Sequence, residues 1–152
     1  MLNSGLKETI KIFCLDVLQK KALTIHAALM TANEAANNET KSSAGDKHET
    51  ARAMMQLEQE KLNKQLKELN DQQEELLKIN TNKVHILISK GSLVKTQQAL
   101  IFIATGIGKI QVEGYTVFVV SELSPLGKKL IGSKLGAIAD LNGTTYTVQE
   151  IL

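Results

Sequence analysis

Apolar residues in the first part of the chain recur at steps of three and four, the spacing that places side chains on one face of an α-helix. The members of this series are Leu6, Ile10, Phe13, Val17, Leu18, Ala22, Ile25 and Leu29. Neither proline nor glycine interrupts the series after Gly5, and polar residues take over beyond its end. The pattern therefore predicts a helix over residues 6–36, followed by a turn over residues 37–45, which are rich in Asn, Ser and Thr.

A second apolar series recurs every seven residues, which is the repeat of a coiled-coil seam. Its members are Met55, Leu62, Leu69 and Leu76, with Leu66 at one intermediate position. Gln59 and Gln73 occupy other intermediate positions, so the seam is narrow and partly polar. This pattern predicts a second helix from residue 46 to about residue 79, which pairs with the first helix as an antiparallel coiled-coil hairpin.

The pattern changes to the alternation of a β-strand after residues 80–82. Val84, Ile86 and Ile88 alternate with other side chains and predict a strand over residues 84–89. Further strands are predicted over residues 100–104, 108–112, 115–120, 137–141 and 144–151. Tight turns are predicted at residues 105–108 and at Asn142-Gly143, because Asn-Gly is a strong hairpin signal.

One short helix is predicted between these strands, over residues 125–131. Ser124 is a suitable N-cap, Pro125 suits the first helical position, and Gly132 is a natural stop. The predicted fold class is α+β. An N-terminal antiparallel coiled-coil hairpin over residues 1–81 precedes a small antiparallel β domain with one short helix over residues 82–152.

Composition excludes several function classes. The net charge is only +2, which argues against a protein that coats nucleic acid electrostatically. Aromatic residues make up 3% of the chain, which disfavours base-stacking platforms and aromatic-lined pockets. Cys14 is the single cysteine, so no intramolecular disulfide is possible. No signal peptide is evident at the N-terminus and no apolar run spans a bilayer, so we expect a soluble cytoplasmic protein without a membrane partner.

Asp46 and Glu49 are the candidate chemical groups, because they stand three residues apart at the start of the second helix. The structural interpretation is a capping-box-like pair, which satisfies free N–H groups and favours the positive end of the helix dipole. From the residues alone this interpretation is the stronger one. The functional interpretation is that two carboxylates at the tip of a hairpin hold a divalent metal inside another macromolecule. The two interpretations are compatible.

Two segments resemble the Gre family of bacterial transcript cleavage factors. Residues 45–51 read Gly-Asp-Lys-His-Glu-Thr-Ala and are similar to the family's tip motif, Gly-Asp-Leu-x-Glu-Asn-Ala, with both acids in register. Residues 124–134 read Ser-Pro-Leu-Gly-Lys-Lys-Leu-Ile-Gly-Ser-Lys and resemble its Ser-Pro-Ile-Gly-x-Ala-Leu-(Leu/Ile)-Gly-Lys segment. The order and spacing of the two segments agree with the family over essentially the whole chain.

The resemblance implies an FKBP-like β domain that docks on bacterial RNA polymerase, and a coiled coil that enters the polymerase's secondary channel. Asp46 and Glu49 would help to hold a Mg²⁺ ion of the polymerase and to activate water near the RNA 3′ end. Ser124, Pro125, Leu126 and Gly127 would belong to the docking surface. The chain would then be a monomer without enzyme activity or cofactor of its own, which stimulates the polymerase to hydrolyse backtracked RNA.

Other functions stay open at this point. Lys47 and Thr50 stand where the family usually has Leu and Asn, so a secondary-channel regulator that does not stimulate cleavage would show the same architecture. A prolyl isomerase is disfavoured by the few aromatic residues of the β half. A coiled-coil adaptor or dimer is weakened by the polar seam positions Gln59 and Gln73.

Overall fold

The structure is a computed structural model that describes the backbone of residues 1–41 and 45–152 and the side chains of residues 1–38 and 49–152. Two long helices, α1 (Ser4–Lys41) and α2 (Gly45–Leu77), precede a region of short strands with one short helix. The predicted α+β class is therefore confirmed. None of the described helices is long and apolar enough to cross a membrane.

The chain divides into two compact units. One unit contains residues 17–73, and the other contains residues 1–16 together with residues 74–152. The division reflects which residues pack together in space. Both long helices contribute residues to each unit. The predicted domain boundary at residue 82, which follows a change in sequence pattern, stays a prediction.

The first helix is longer than the apolar pattern predicts. It ends at Lys41, so the turn predicted over residues 37–45 is wrong for residues 37–41, whereas residues 42–44 lie outside the described residues. A solvated helix does not need apolar residues, and residues 37–41 contain neither proline nor glycine. Phe13 belongs to the predicted apolar series but is exposed. The buried face of this helix instead takes every fourth residue. The residues of that face are Leu6, Ile10, Cys14, Leu18 and Ala22.

In the unit of residues 17–73 the two helices pair antiparallel. Gln73 donates to Gln19 over 3.4 Å, and Gln59 donates to Asn33. In both pairs the two residue numbers average 46, so the register between the two helices is the same at both places. The predicted polar seam positions are therefore satisfied by polar partners within the same chain, while Leu62 and Leu69 are buried between them.

The other unit is built on a five-stranded sheet with the order β3-β4-β2-β1-β7. Its strands are β1 (Leu93–Lys95), β2 (Leu100–Ile103), β3 (Gly108–Val112), β4 (Tyr115–Val120) and β7 (Glu150–Ile151). The pairing of β2 with β4 is parallel, and the other pairings are antiparallel. A separate hairpin joins β5 (Ile138–Leu141) to β6 (Thr144–Thr147), with Asn142 and Gly143 both at positive φ, as predicted for this turn.

Two strand predictions are wrong. Residues 84–89 form no strand, because Val84, Ile86 and Leu87 are exposed and no sheet edge lies beside them. Ile88 is instead anchored by backbone bonds of 2.8 Å to Ser133 and Gly132. The strand predicted over residues 144–151 is interrupted, and its two parts pair with different strands, β5 and β1.

The core of this unit lies where α3 (Pro125–Leu130) and the β5–β6 hairpin cover the sheet. Strand β2 is buried along its whole length. The cluster consists of Ile88, Val94, Ile101, Ile103, Leu126, Leu130, Ala139 and Val148. These contacts fix the position of α3, which carries one of the two segments singled out in the sequence.

Candidate functional site

The first predicted site lies at the start of α2. This helix begins at Gly45, one residue before the prediction, so Asp46 lies in its first turn and Glu49 lies three residues further along the helix. The Glu49 side chain is exposed, whereas the side chain of Asp46 lies outside the described residues. A carboxylate in a first turn is stabilised by the partial positive charge of the helix N-terminus. A capping box would need Asp46 directly before the first helical residue, whereas Asp46 lies inside the helix, and the metal-holding role stays a prediction.

The donor set at this helix start is oxygen-based, which suits Mg²⁺. One or two carboxylates hold this ion only together with further ligands, because Mg²⁺ requires octahedral coordination. Among residues 1–38 and 49–152, no group of three or more His, Cys, Asp or Glu side chains is positioned to hold a metal ion. The side chains of residues 39–48, Asp46 among them, lie outside this search, so a metal at Asp46 and Glu49 stays a prediction.

The second predicted site begins at Ser124, and here the structure confirms the helix predicted from the sequence. The Ser124 hydroxyl accepts from the backbone N–H of Gly127 over 3.0 Å and donates to the carbonyl of Ser121 over 2.7 Å. Pro125 stands in the first turn, and Gly132 follows the helix with a φ of 80°. The hydroxyl therefore fixes both the start of α3 and the loop before it.

Gly127 is required by a close approach of two backbone segments. A Cβ atom at this position would lie 2.0 Å from the carbonyl oxygen of Ser121, which is backbone and cannot rotate away. Leu126 is buried in the core, so only Pro125 among the four predicted docking residues is exposed, and Ser124 is half-buried. The docking role of these residues stays a prediction, and folding alone explains Leu126 and Gly127.

Several exposed apolar residues accompany α3 in the chain, and the sequence analysis missed them as a group. They are Leu123, Ile131, Leu135 and Ile138. Leu123 directly precedes Ser124 and is 75% exposed. A signal was present in the sequence, because these apolar residues interrupt a segment rich in Gly, Ser and Lys.

A buried lysine is the main feature that sequence analysis did not find. Lys7 is fully buried, and its Nζ donates to the backbone oxygens of Lys83 and Leu152, each over 3.1 Å. Burial, and then the positive charge of Lys83, lower the pKa of Lys7 to about 8. One clue was that Lys7 stands seven residues before the buried Cys14 and therefore shares its helical face.

His85 lies near this lysine. The residue is buried, and neither ring nitrogen makes a hydrogen bond of ordinary geometry within the described part of the chain, although the Leu152 backbone is close enough to favour the charged ring. Burial, and then the charge of Lys7, lower the pKa of His85 below its ordinary value.

The comparisons with known proteins give a likeness to solved structures. No protein-family profile matches the chain, and no curated protein matches it. A solved structure described as that of the transcription factor Gfh1 is similar at 17% sequence identity and a TM-score of 0.35. The likeness covers 90% of this chain and 92% of that chain, and it is a coarse one.

Proposed function

We propose that this chain is a transcription elongation factor that binds bacterial RNA polymerase and stimulates cleavage of backtracked RNA. The observation that carries the proposal is the start of α2, where Asp46 and Glu49 occupy one helical turn within a segment that resembles the Gre tip motif. The exposure of Glu49 supports it, because an exposed carboxylate is accessible to a partner.

The geometry of the unit of residues 17–73 supports delivery of these acids into a channel. Its part of α2 is about 40 Å long at the helical rise per residue. The antiparallel pairs Gln19–Gln73 and Asn33–Gln59 are centred on residue 46, which supports a position of both acids near the turn between the paired helices. A narrow pair of helices with solvated faces suits entry into a confined site better than a globular domain does.

In this proposal the chain contributes only carboxylate ligands to the reaction. Asp46 and Glu49 would supply carboxylate oxygens, and the polymerase would supply the remaining ligands and the substrate. The Mg²⁺ ion, when bound, stabilises the attacking and leaving oxygens of phosphodiester hydrolysis. The chain itself therefore needs no cofactor in its free state and no nucleophile.

Docking would use the surface around α3. Pro125 and Leu123 are exposed beside a loop that Ser124 and Gly127 hold in a fixed shape. Apolar side chains held on a rigid backbone lose little entropy on binding, which favours a specific contact. Ile131, Leu135 and Ile138 add exposed apolar area in the following segment.

A cleavage assay on a backtracked elongation complex tests the proposal. We expect the wild-type protein to accelerate release of the RNA 3′ fragment. The Asp46→Ala/Glu49→Ala variant should lower this rate at least tenfold, which corresponds to a loss of about 1.4 kcal/mol of transition-state stabilisation. The matched control is Glu58→Ala/Glu60→Ala, which removes two exposed acids of the same helix away from its start. If the wild-type protein does not accelerate cleavage, the proposed cleavage function is wrong.

A regulator that occupies the channel without stimulating cleavage is the second candidate. Lys47 favours it, because this residue places a positive charge between the two acids in sequence. Such a protein would bind polymerase and slow elongation in the same assay without releasing RNA fragments. A coiled-coil adaptor is less well supported, because Gln59 and Gln73 are satisfied within one chain and need no second copy.

A further inference from the structure

A cavity of about 420 Å³ opens beside the C-terminal end of α2, within the unit of residues 1–16 and 74–152. Its size falls in the range of small-molecule sites, roughly 300–1,000 Å³. The residues that give it chemical character are Glu75, Lys78, Lys83, His85, Lys90 and Gly91. None of them belongs to the segments that resemble the Gre motifs, so this cavity is separate from the proposed polymerase function.

The lining carries an excess of positive charge. Lys90 forms an ion pair with Glu75. Lys78 and Lys83 are exposed, and neither pairs with a carboxylate in the part of the chain that the structure describes. Two lysine charges therefore remain uncompensated at one concave surface.

The neighbouring buried groups indicate the same sign of potential. The charge of Lys83 adds to burial in lowering the pKa of Lys7, and the charges of Lys7 and Lys83 add to burial in lowering the pKa of His85. Burial is the larger cause of both pKa shifts, and the nearby positive charges add to it in the same direction. A bound anion would relieve this repulsion.

The loop beside the cavity has a glycine, Gly91, at a position where a side chain would take up space. Gly91 has a φ of 94°, a conformation that favours glycine. A Cβ atom there would lie 3.4 Å from Cγ2 of Ile79 and 3.7 Å from Cε1 of His85, so a side chain would occupy space beside the imidazole. Glycine thus keeps open the part of the cavity nearest to His85.

We propose that this cavity binds a small phosphate-bearing anion through Lys78 and Lys83, with Lys90 as a further cation at its edge. Lysine is a compact, strongly hydrated charge that suits phosphate groups in a half-open site. The concave shape favours a small ligand over an acidic protein segment, which would lie along a flatter surface. His85 would gain an acceptor for a ring N–H, and its pKa would rise on binding.

Pyrophosphate is the probe that tests this inference. It is titrated into the full-length chain at constant ionic strength, set with sodium chloride, while ¹H–¹⁵N spectra follow the Gly91 amide and the His85 ring. We expect saturable shifts at both groups with a dissociation constant below about 1 mM. Lys78→Gln/Lys83→Gln should weaken binding at least about tenfold, because two charge-assisted contacts are lost.

Two further variants separate specific binding from general charge effects. Lys109→Gln removes an exposed lysine of β3 outside the cavity and should leave the dissociation constant within about twofold. Glu75→Gln removes the one acid of the lining and should tighten binding, a gain that misfolding cannot produce. Shifts that do not saturate, or equal weakening by Lys109→Gln, would overturn the proposal. Saturable binding of a hexaglutamate peptide without binding of pyrophosphate would also overturn it and assign the surface to an acidic protein segment.

Discussion

The start of α2 and the start of α3 both resemble segments of the same family, but the surrounding structure explains them differently. At α3, the Ser124 hydroxyl holds two backbone groups, and Gly127 permits a backbone approach that no other residue allows. At α2, the Glu49 side chain is exposed and packs into no core. The α3 residues are thus accounted for by folding, whereas folding does not account for the exposed Glu49 carboxylate.

This difference decides how each motif supports a function. A residue that the fold requires would be present whether or not a partner docks there. A residue that the fold does not require points more directly to chemistry, apart from its contribution to helix capping. The tip acids therefore carry more of the functional inference than the Ser-Pro-Leu-Gly segment does.

The largest stability effect is expected at α3. Gly127→Ala should destabilise the protein by about 2–3 kcal/mol, because its Cβ would collide with the carbonyl of Ser121 and displace backbone in a packed region. Thermal or denaturant unfolding measures this change. Gly106→Ala is the control, because its Cβ would meet nothing within 4 Å. Equal stability of the two variants would show that α3 can shift without cost.

The next effect concerns Lys7 and depends on pH. The pKa of this buried lysine is lowered to about 8 from its ordinary value of 10.5, so the folded chain releases this proton at lower pH than the unfolded chain does. Its charge destabilises the folded state below pH 8, and this penalty is relieved as pH rises from 8 towards 10.5. Lys7→Met lacks this titration.

Unfolding experiments at several pH values measure the consequence. The free energy of unfolding of the wild type should rise relative to Lys7→Met between pH 8 and 10.5, at about 1 kcal/mol per pH unit. His85 does not contribute in this window, because its lowered pKa places its titration at more acidic pH. Parallel pH profiles for the two proteins would contradict the buried position of the lysine charge.

The smallest effect is expected in the paired helices. Gln59 donates to Asn33 across an exposed seam, and such a neutral hydrogen bond contributes about 1 kcal/mol or less. A double-mutant cycle with Gln59→Ala and Asn33→Ala should give a coupling energy of this size. The value should not change with protein concentration, because both partners belong to one chain. Coupling that appears only at high concentration would indicate pairing between copies.

Sequence patterns predicted the parts of this fold that are governed by local rules. Ser124, Pro125 and Gly132 define α3 because caps and stops act within a few residues. The turn at Asn142-Gly143 was predictable because Asn and Gly tolerate the left-handed backbone that both residues adopt. Patterns failed where distant contacts decide: residues 84–89 alternate like a strand, but no sheet edge receives them. The burial of Lys7 likewise depends on the distant carbonyls of Lys83 and Leu152.

The candidate site was predicted in the same partial way. The helix start that contains Asp46 and Glu49 could be found from turn composition and the heptad series, since both are local signals. The basic cavity could not, because Lys78, Lys83, His85 and Lys90 have no spacing that marks a site. Only the packing of the end of α2 against the following segment and the Gly91 loop brings them together.

The magnesium dependence of RNA cleavage tests the central claim most directly. The rate of cleavage in a backtracked complex is measured against Mg²⁺ concentration with no factor, with wild type and with Asp46→Asn/Glu49→Gln, which keeps the shape of both side chains. We predict that the wild type lowers the Mg²⁺ concentration for half-maximal rate and that the variant returns it to the value of polymerase alone. Equal stimulation by wild type and variant at every Mg²⁺ concentration would contradict a metal-positioning role for the two acids.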